Sequence, residues 1–454
     1  MMKSATGRSV ARRAGMVVLA AAAWVAAASL AQAENWPQFR GPHHNGTSSE
    51  KNLPAKWSRT DNVAWVADLP GASAATPAVW GDVVFASSTD AEAKTLVALA
   101  LDRRTGKLLW KQTIAEGLSQ DSRSNYASPS PATDGKLAIF FYGNGELAAF
   151  DFAGQRRWQR NLQKDYGEFA FQWTFSTSPL LYDGRLYIQV LQRNEPARGR
   201  GAKDGKSESY LLALDPASGK ELWRHVRPSQ AKAESLEAFS TPVPLEQGGR
   251  KEILVVGGDD ISGHDPTNGQ ELWRWGTWNP TRIGHWRLVP SPVAGAGVVL
   301  ACAPKGDPIY AVKLGGKGTL EDSSLAWVSR EDKTLTTDVP TPVFADGDFF
   351  VLSDVRKTLS RVEGATGKVK WQQKTPGLAK YEASPLVADG KVYLINFVGD
   401  VVVVNASTGE ILNTISMDDP ADDAVRSSIV ASGGQLFIRV NRKLYCIGAA
   451  ASGS

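Results

Sequence analysis

Short apolar runs alternate with turn residues along almost the whole chain, in a repeating unit. The clearest copy is Leu211–Trp223, Leu-Leu-Ala-Leu-Asp-Pro-Ala-Ser-Gly-Lys-Glu-Leu-Trp. Leu211 to Leu214 has the length and apolar character of a buried strand. Asp215 can bond the backbone ahead of it, and Gly219 can take a positive φ where the chain reverses. Lys220 to Trp223 returns as a second strand with the indole as its bulky anchor. The unit recurs at Leu99–Trp110, Phe150–Trp158, His264–Trp273, Val362–Trp371 and Val404–Leu412, with a degenerate copy at Tyr310–Trp327.

A second signal precedes each copy: Ser or Thr, Pro, a few apolar residues, Asp-Gly or a variant, then another strand. It occurs at Thr76-Pro77, Ser178-Pro179, Thr241-Pro242, Ser291-Pro292, Thr341-Pro342 and Ser384-Pro385. Ser128-Pro129-Ser130-Pro131 and the proline-less Ser427-Ser428 are variants of it. One repeat is therefore four strands. A hairpin of this kind cannot bury its apolar face alone, so copies must pack on one another. Four-stranded units recurring at roughly 40–65 residues predict propeller blades.

Return strands end at Trp65, Trp110, Trp158, Trp223, Trp273, Trp327, Trp371 and Leu412, which gives eight blades. Asn62–Val66 has no blade before it, and Ser427–Gly448 has three strands and no return strand. Joining the two removes an open sheet edge. The prediction is an all-β, eight-bladed β-propeller of four-stranded antiparallel blades, closed by the N-terminal strand joining the last blade. A seven-bladed or open disc is the alternative if the copy ending at Trp327 is not a full blade.

Composition changes the picture at the N-terminus. Residues 1–33 read as an export signal: Lys3, Arg8, Arg12 and Arg13, an alanine-rich apolar stretch, then Ala31-Gln32-Ala33 as a cleavage pattern. A retained membrane anchor is the alternative. The organisation expected is a signal over 1–33, an arm over 34–61, the propeller over 62–449 and a tail over 450–454. The chain carries +4, and removing the four basic residues of the signal leaves the rest near zero (4 − 4). That removes a bulk electrostatic case for nucleic acid or for a membrane surface. A periplasmic or secreted monomer, without stable membrane insertion after processing, is expected.

The motif Ala-Leu-Asp-x-x-Ser/Thr-Gly-x-x-x-Trp, complete at 213–223, resembles the repeat of the pyrroloquinoline-quinone (PQQ) type propellers. That superfamily includes quinoprotein alcohol and glucose dehydrogenases. It also includes non-enzymatic members such as the eight-bladed propeller of the outer-membrane protein assembly machine. Trp36-Pro37-Gln38-Phe39-Arg40-Gly41-Pro42 is similar to the opening of many exported members. The resemblance covers nearly the whole mature chain and implies the fold; its repeated Trp, Asp and Gly are structural and leave function open. The dehydrogenases place adjacent cysteines over the quinone and hold calcium with Glu, Asn and Asp beside a catalytic Asp. This chain has only Cys302 and Cys446, in different repeats, and no Cys-x-x-Cys-His. Neither PQQ nor calcium is therefore expected, and no catalytic residue or metal ligand is carried over. Both cysteines read as small buried hydrophobes.

Candidate binding residues come from the loops entering each inner strand, which share one propeller face with the loops joining the second and third strands. They bring Arg123, Asn125, Tyr126, Gln172, Trp173, Glu237, His285, Trp286, Arg287, Asp338, Tyr381, Glu382 and Arg426 to the channel mouth. Tyr126, Asp338 and Tyr381 read as one repeat position. These groups either form a pocket or plug the mouth and satisfy one another. Trp275, Trp278 and Trp286, among Arg274, Arg282 and Arg287, either stack on a ligand or pack between blades. Gln192–Ser209 reads as a mobile, mainly basic insertion, a lid or docking arm or else a solvated loop. His43-His44 and the acidic run Asp418–Asp423 invite a metal reading, yet neither has ligand spacing. No Ser-His-Asp, Walker or zinc-protease motif occurs. Three functions remain: a non-catalytic scaffold for a protein partner, a binder of a small polar or aromatic ligand or glycan, and a quinoprotein oxidoreductase.

Overall fold

A computed structural model of the protein describes residues 33–202, 207–417 and 424–449. Residues 1–32 of the expected export signal, the whole expected tail at 450–454 and the acidic run at 418–423 lie outside the described residues. Eight sheets follow one another along the chain. Blades one to seven span 78–116, 132–161, 180–226, 243–275, 293–328, 343–374 and 386–416, and blade eight spans 430–447. The outermost strand of blade eight is Val63–Asp68, antiparallel to Lys443–Ile447 with Val66 opposite Tyr445. The predicted closure is therefore present, and the copy ending at Trp327 is a full blade. Among the described residues one short α-helix occurs, Leu162–Tyr166, capped by the Asn161 side chain. No described helix is long and apolar enough to cross a membrane.

The middle strands are apolar runs because each is covered on both faces by neighbouring blades. Tyr210–Leu214 is buried at every position. At the rim, one side chain locks each blade to the next. Trp158 of blade two lies over Gly219 in the turn of blade three, where an added Cβ would come within 2.6 Å of the indole. The indole N–H donates to Pro216 O at 2.8 Å. Gly219 also has φ +68, which a side chain would strain. The same pairing joins Trp65 to Gly106, Trp110 to Gly154, Trp223 to Gly269, Trp327 to Gly367 and Trp371 to Gly409. The anchoring tryptophan thus serves the following blade rather than its own hairpin. Two junctions differ. Trp273 bonds Glu252 Oε2 at 2.6 Å within its own blade, and the chain after blade five's third strand detours to add Gly318–Leu320 alongside Glu271–Trp275. Blade seven has Leu412 in the tryptophan position, and its neighbour Asn413 bonds Ala55 O instead.

The Ser/Thr-Pro signal has a physical role at the axis. Thr76 N–H donates to Ser130 Oγ, Ser130 to Ser178, Ser178 to Thr241 and Thr241 to Ser291. Ser291 then donates to Thr341, Thr341 to Ser384, Ser384 to Ser428, and Ser428 back to Thr76 Oγ1. Each blade thus hands its backbone proton to the hydroxyl of the next, and the circle closes. In blade two the member is Ser130. Ala127, three residues before it, then matches Asp338 and Tyr381, three before Thr341 and Ser384. Tyr126 is one residue out of that register, which corrects the expected alignment.

The arm closes the channel behind this circle. Trp36 exchanges backbone hydrogen bonds with Val79, Pro37 O accepts from Thr133, and Gln38 bonds both N and O of Leu181. Arg40 reaches Pro342 O and Pro385 O, and Thr47–Ser48 runs parallel to Leu386–Ala388. His43 bonds Glu34, and His44 bonds Gln38 and packs on Tyr182, so the two rings serve the arm. Cys302 and Cys446 are buried and free, and burial pushes both thiols up to about 12.

Trp65→Ala removes a docking indole at the junction that also closes the ring. It should lower unfolding free energy by about 3–5 kcal/mol in denaturant titration, against under about 1.5 kcal/mol for Leu412→Ala. Equal losses would refute the docking role.

Candidate functional site

The channel is a blind cup with a volume of about 160 Å³. Its wall is the circle of eight hydroxyls, Phe39 from the arm contributes to its lining, and its mouth opens among the entering loops. The space exceeds the roughly 10–15 Å³ that one water centre needs, so it holds several waters or a small guest. Ala74, Phe239, Val289 and Val339 add apolar surface between the hydroxyls.

Of the predicted residues, Arg123, Trp173, Arg287, Glu382 and Arg426 line this cup. Trp173 stands at the rim, its indole N–H on Glu234 Oε1 at 3.1 Å. Two guanidinium groups lie over its ring, Arg198 at 4.5 Å and Arg123 at 5.6 Å. Arg287 pairs with both oxygens of Asp338 at 3.1 Å, and Arg426 pairs with Glu382 at 2.9 Å while covering Phe397. The expected pocket and the expected mutual pairing therefore coexist: the rim is paired and the cup stays open.

Asn125, Gln172, Glu237 and Asp338 brace the mouth from behind. Asn125 spans Ala72 O and Ala127 N, and Gln172 offers its N–H to Glu237 Oε1. Glu237 is fully buried and ion-paired with Arg193. Tyr126, Tyr381, His285 and Trp286 stand away from the cup. Tyr126 lines a separate cavity with Phe169, Phe171 and Phe175. Tyr381 is buried with its hydroxyl on Pro376 O, and His285 is exposed. Trp286 packs on the cluster that buries Trp275 and Trp278, so this aromatic group belongs to the core. The insertion at 192–202 turns back onto the rim through Arg193 and Arg198, and Lys203 and Lys206 lie outside the described residues.

Sequence reasoning missed the hydroxyl wall itself. Its signal was present, a Ser or Thr kept before the inner strand in every repeat, and it was read only as punctuation. It also missed His225, His264 and Glu271, which come together across blades three and four with ligand atoms within 4.8 Å. There His264 is engaged by Ser262 and Gly269 O, and Glu271 by both arms of Arg274.

The geometry defines an eight-bladed PQQ-like propeller with a closed floor and a polar cup. A family profile described as "Outer membrane protein assembly factor BamB" matches residues 47–194, 166–324 and 257–454, and the chain belongs to that family. Among solved structures, BamB from Moraxella catarrhalis is similar with a TM-score of 0.56 and 12% identity, covering 85% of this chain and 99% of that one. A europium-containing methanol dehydrogenase gives 0.64 at 11% identity, covering 89% of each chain. The polyvinylalcohol dehydrogenase of Sphingopyxis sp. (strain 113P3) is 28% identical over 199 residues, 43% of this chain and 27% of that protein. The chain thus matches about a quarter of that relative's length. These likenesses establish the fold and leave activity open.

Burial raises the Glu237 carboxyl from 4.5 to about 7 against the pull of Arg193, and burial raises Asp354 to about 6. A raised acid contributes stability that is present below its unfolded value and lost as pH rises through the folded one. Stability should therefore fall between about pH 4.5 and 7, and Glu237→Gln should flatten that fall by about 1–2 kcal/mol. Denaturant titration across this range checks it; an unchanged slope would contradict the assignment.

Proposed function

We propose that this chain is an exported, non-catalytic scaffold that docks a protein partner through the entering-loop face over blades five to seven. The observation that carries this reading is a mainly basic surface studded with exposed apolar side chains. Leu378 is 92% exposed, Val355 41% and Val398 42%, each on a loop of that face. They are contiguous: a Cβ on Gly306 would lie 3.5 Å from Val355, Lys357 Nζ bonds Leu378 O, and Lys380 O accepts from Phe397 beside Val398. Lys305, Arg330, Lys333, Arg356, Lys357 and Lys380 surround them, and none has a carboxylate partner among the described residues. The rim is mainly basic, with the exposed Glu331 between Arg330 and Lys333, and exposed apolar groups inside a polar rim are the usual anatomy of a docking site. The complementary partner offers apolar pockets flanked by carboxylates. The family description, an assembly factor, agrees with a docking role.

Two further observations support a reading without a calcium-held quinone. Among the described residues the cup's one lining carboxylate, Glu382, is committed to Arg426, and the two cysteines are buried in separate blades. The residues present do not fit that pair of groups.

The test places a photo-crosslinking amino acid at position 378 in the producing cells. A discrete adduct with one protein is expected, abolished by the double substitution Arg356→Glu, Lys357→Glu and unaffected by Lys107→Ala. Adducts that ignore the charge reversal, or none, would refute the docking face. Reduction of a dye by purified protein supplied with PQQ and calcium would favour the oxidoreductase reading instead.

A further inference from the structure

We propose that the hydroxyl-walled cup is a binding site for a small oxyanion carrying several acceptor oxygens, a carboxylate or phosphate group. The site lies at the axis, apart from the apolar patch around Leu378 on the same side, and does not depend on it.

Three independent features converge. The first is the wall. Each of the eight ring hydroxyls already accepts a backbone N–H, yet none donates to a protein acceptor among the described residues. All eight line the cup and are only 2–8% exposed. A hydroxyl that accepts a hydrogen bond is polarised into a better donor. Water in the cup can accept these protons one at a time, whereas a guest with several acceptor oxygens can accept several of them at once. The residue after most ring members is proline, so no further N–H competes there.

The second feature is a cation behind the wall. Arg40 is 4% exposed and bonds only carbonyls, including Pro342 O at 2.8 Å and Pro385 O at 3.1 Å. Those two prolines directly follow ring members Thr341 and Ser384. Arg40 has no carboxylate partner among the described residues, and its Nε finds no partner at all. Burial draws its pKa down to about 9, the mark of an uncompensated charge.

The third feature is the rim. The sole lining carboxylate is neutralised by Arg426, and Arg287 by Asp338, whereas Arg123 has no ion-pair partner among the described residues. Donors and one free cation face the cup, and an acceptor-only guest matches them.

The experiment titrates purified protein, by calorimetry and thermal unfolding, with inorganic phosphate and with citrate. Sodium chloride at matched ionic strength and glucose are the controls. Saturable binding of at least one anion, with a rise in Tm beyond chloride, is expected. Thr341→Val and Arg40→Met should each weaken it by about tenfold or more, and Lys107→Ala should leave it unchanged. The better ligand of the two distinguishes a phosphate from a carboxylate source. No saturable binding, binding that survives both substitutions, or a response to glucose alone overturns the proposal. Should either variant fail to fold, selenate soaked into crystals of the unaltered protein decides: an anomalous selenium peak inside the ring supports the site, and peaks elsewhere only refute it.

Discussion

The whole assembly depends on a hydrogen bond that crosses from one sheet to the next at the axis. An inner strand at the centre of a propeller has nowhere to send the N–H that precedes it. Here a Ser or Thr supplies both halves of the solution, a backbone donor toward one neighbour and a side-chain acceptor toward the other. Repeating that residue eight times returns the pattern to its start, so no member is left with an unmet backbone donor. A ring of seven or nine could be drawn with the same chemistry. At six of the eight junctions the rim adds a second tie, the indole of one blade meeting a side-chain-free turn of the next.

Axis and rim do different work. The axial bonds are worth about 1 kcal/mol each by the usual net value, so their role is to fix spacing and register. The rim contacts bury large aromatic surface and carry more of the cohesion. Closure couples them, since Val63–Asp68 completes blade eight and brings Trp65 onto Gly106. Arg439 adds a third tie at that junction through Ser87 O and Gly71 O. A break between first and last blade would expose a sheet edge and free an indole at once.

Much of this was legible in the sequence because it rests on local chemistry repeated many times. Asp215 and Gly219 announce their turn, and Trp223 its strand, without reference to anything distant. The count of eight and the shared last blade followed from those signals alone. The functional groups were less legible because their meaning is set by convergence. Trp275, Trp278 and Trp286 look alike in sequence as binding aromatics, yet two of them are core. Tyr381 was aligned correctly with Asp338, but one is buried and the other meets Arg287. The serines and threonines were seen and undervalued, because a hydroxyl before proline looks like punctuation until eight of them face one axis.

The same division explains why such a repeat says so little about activity. Every position the motif constrains is spent on holding blades together, at the turn, the indole or the ring. The entering loops are free of those duties, and in this chain they are filled with mutually neutralising pairs, Arg287 with Asp338, Arg426 with Glu382 and Arg193 with Glu237. Paired charges at a mouth set its shape and disfavour guests of the wrong charge. Unspent potential lies elsewhere: in the hydroxyl protons of the wall, in the unaccompanied Arg40 beneath them, and in the unpaired cations around Leu378. The frame that holds these groups in place, turn, indole and ring, is built from other residues and does not depend on what the groups meet.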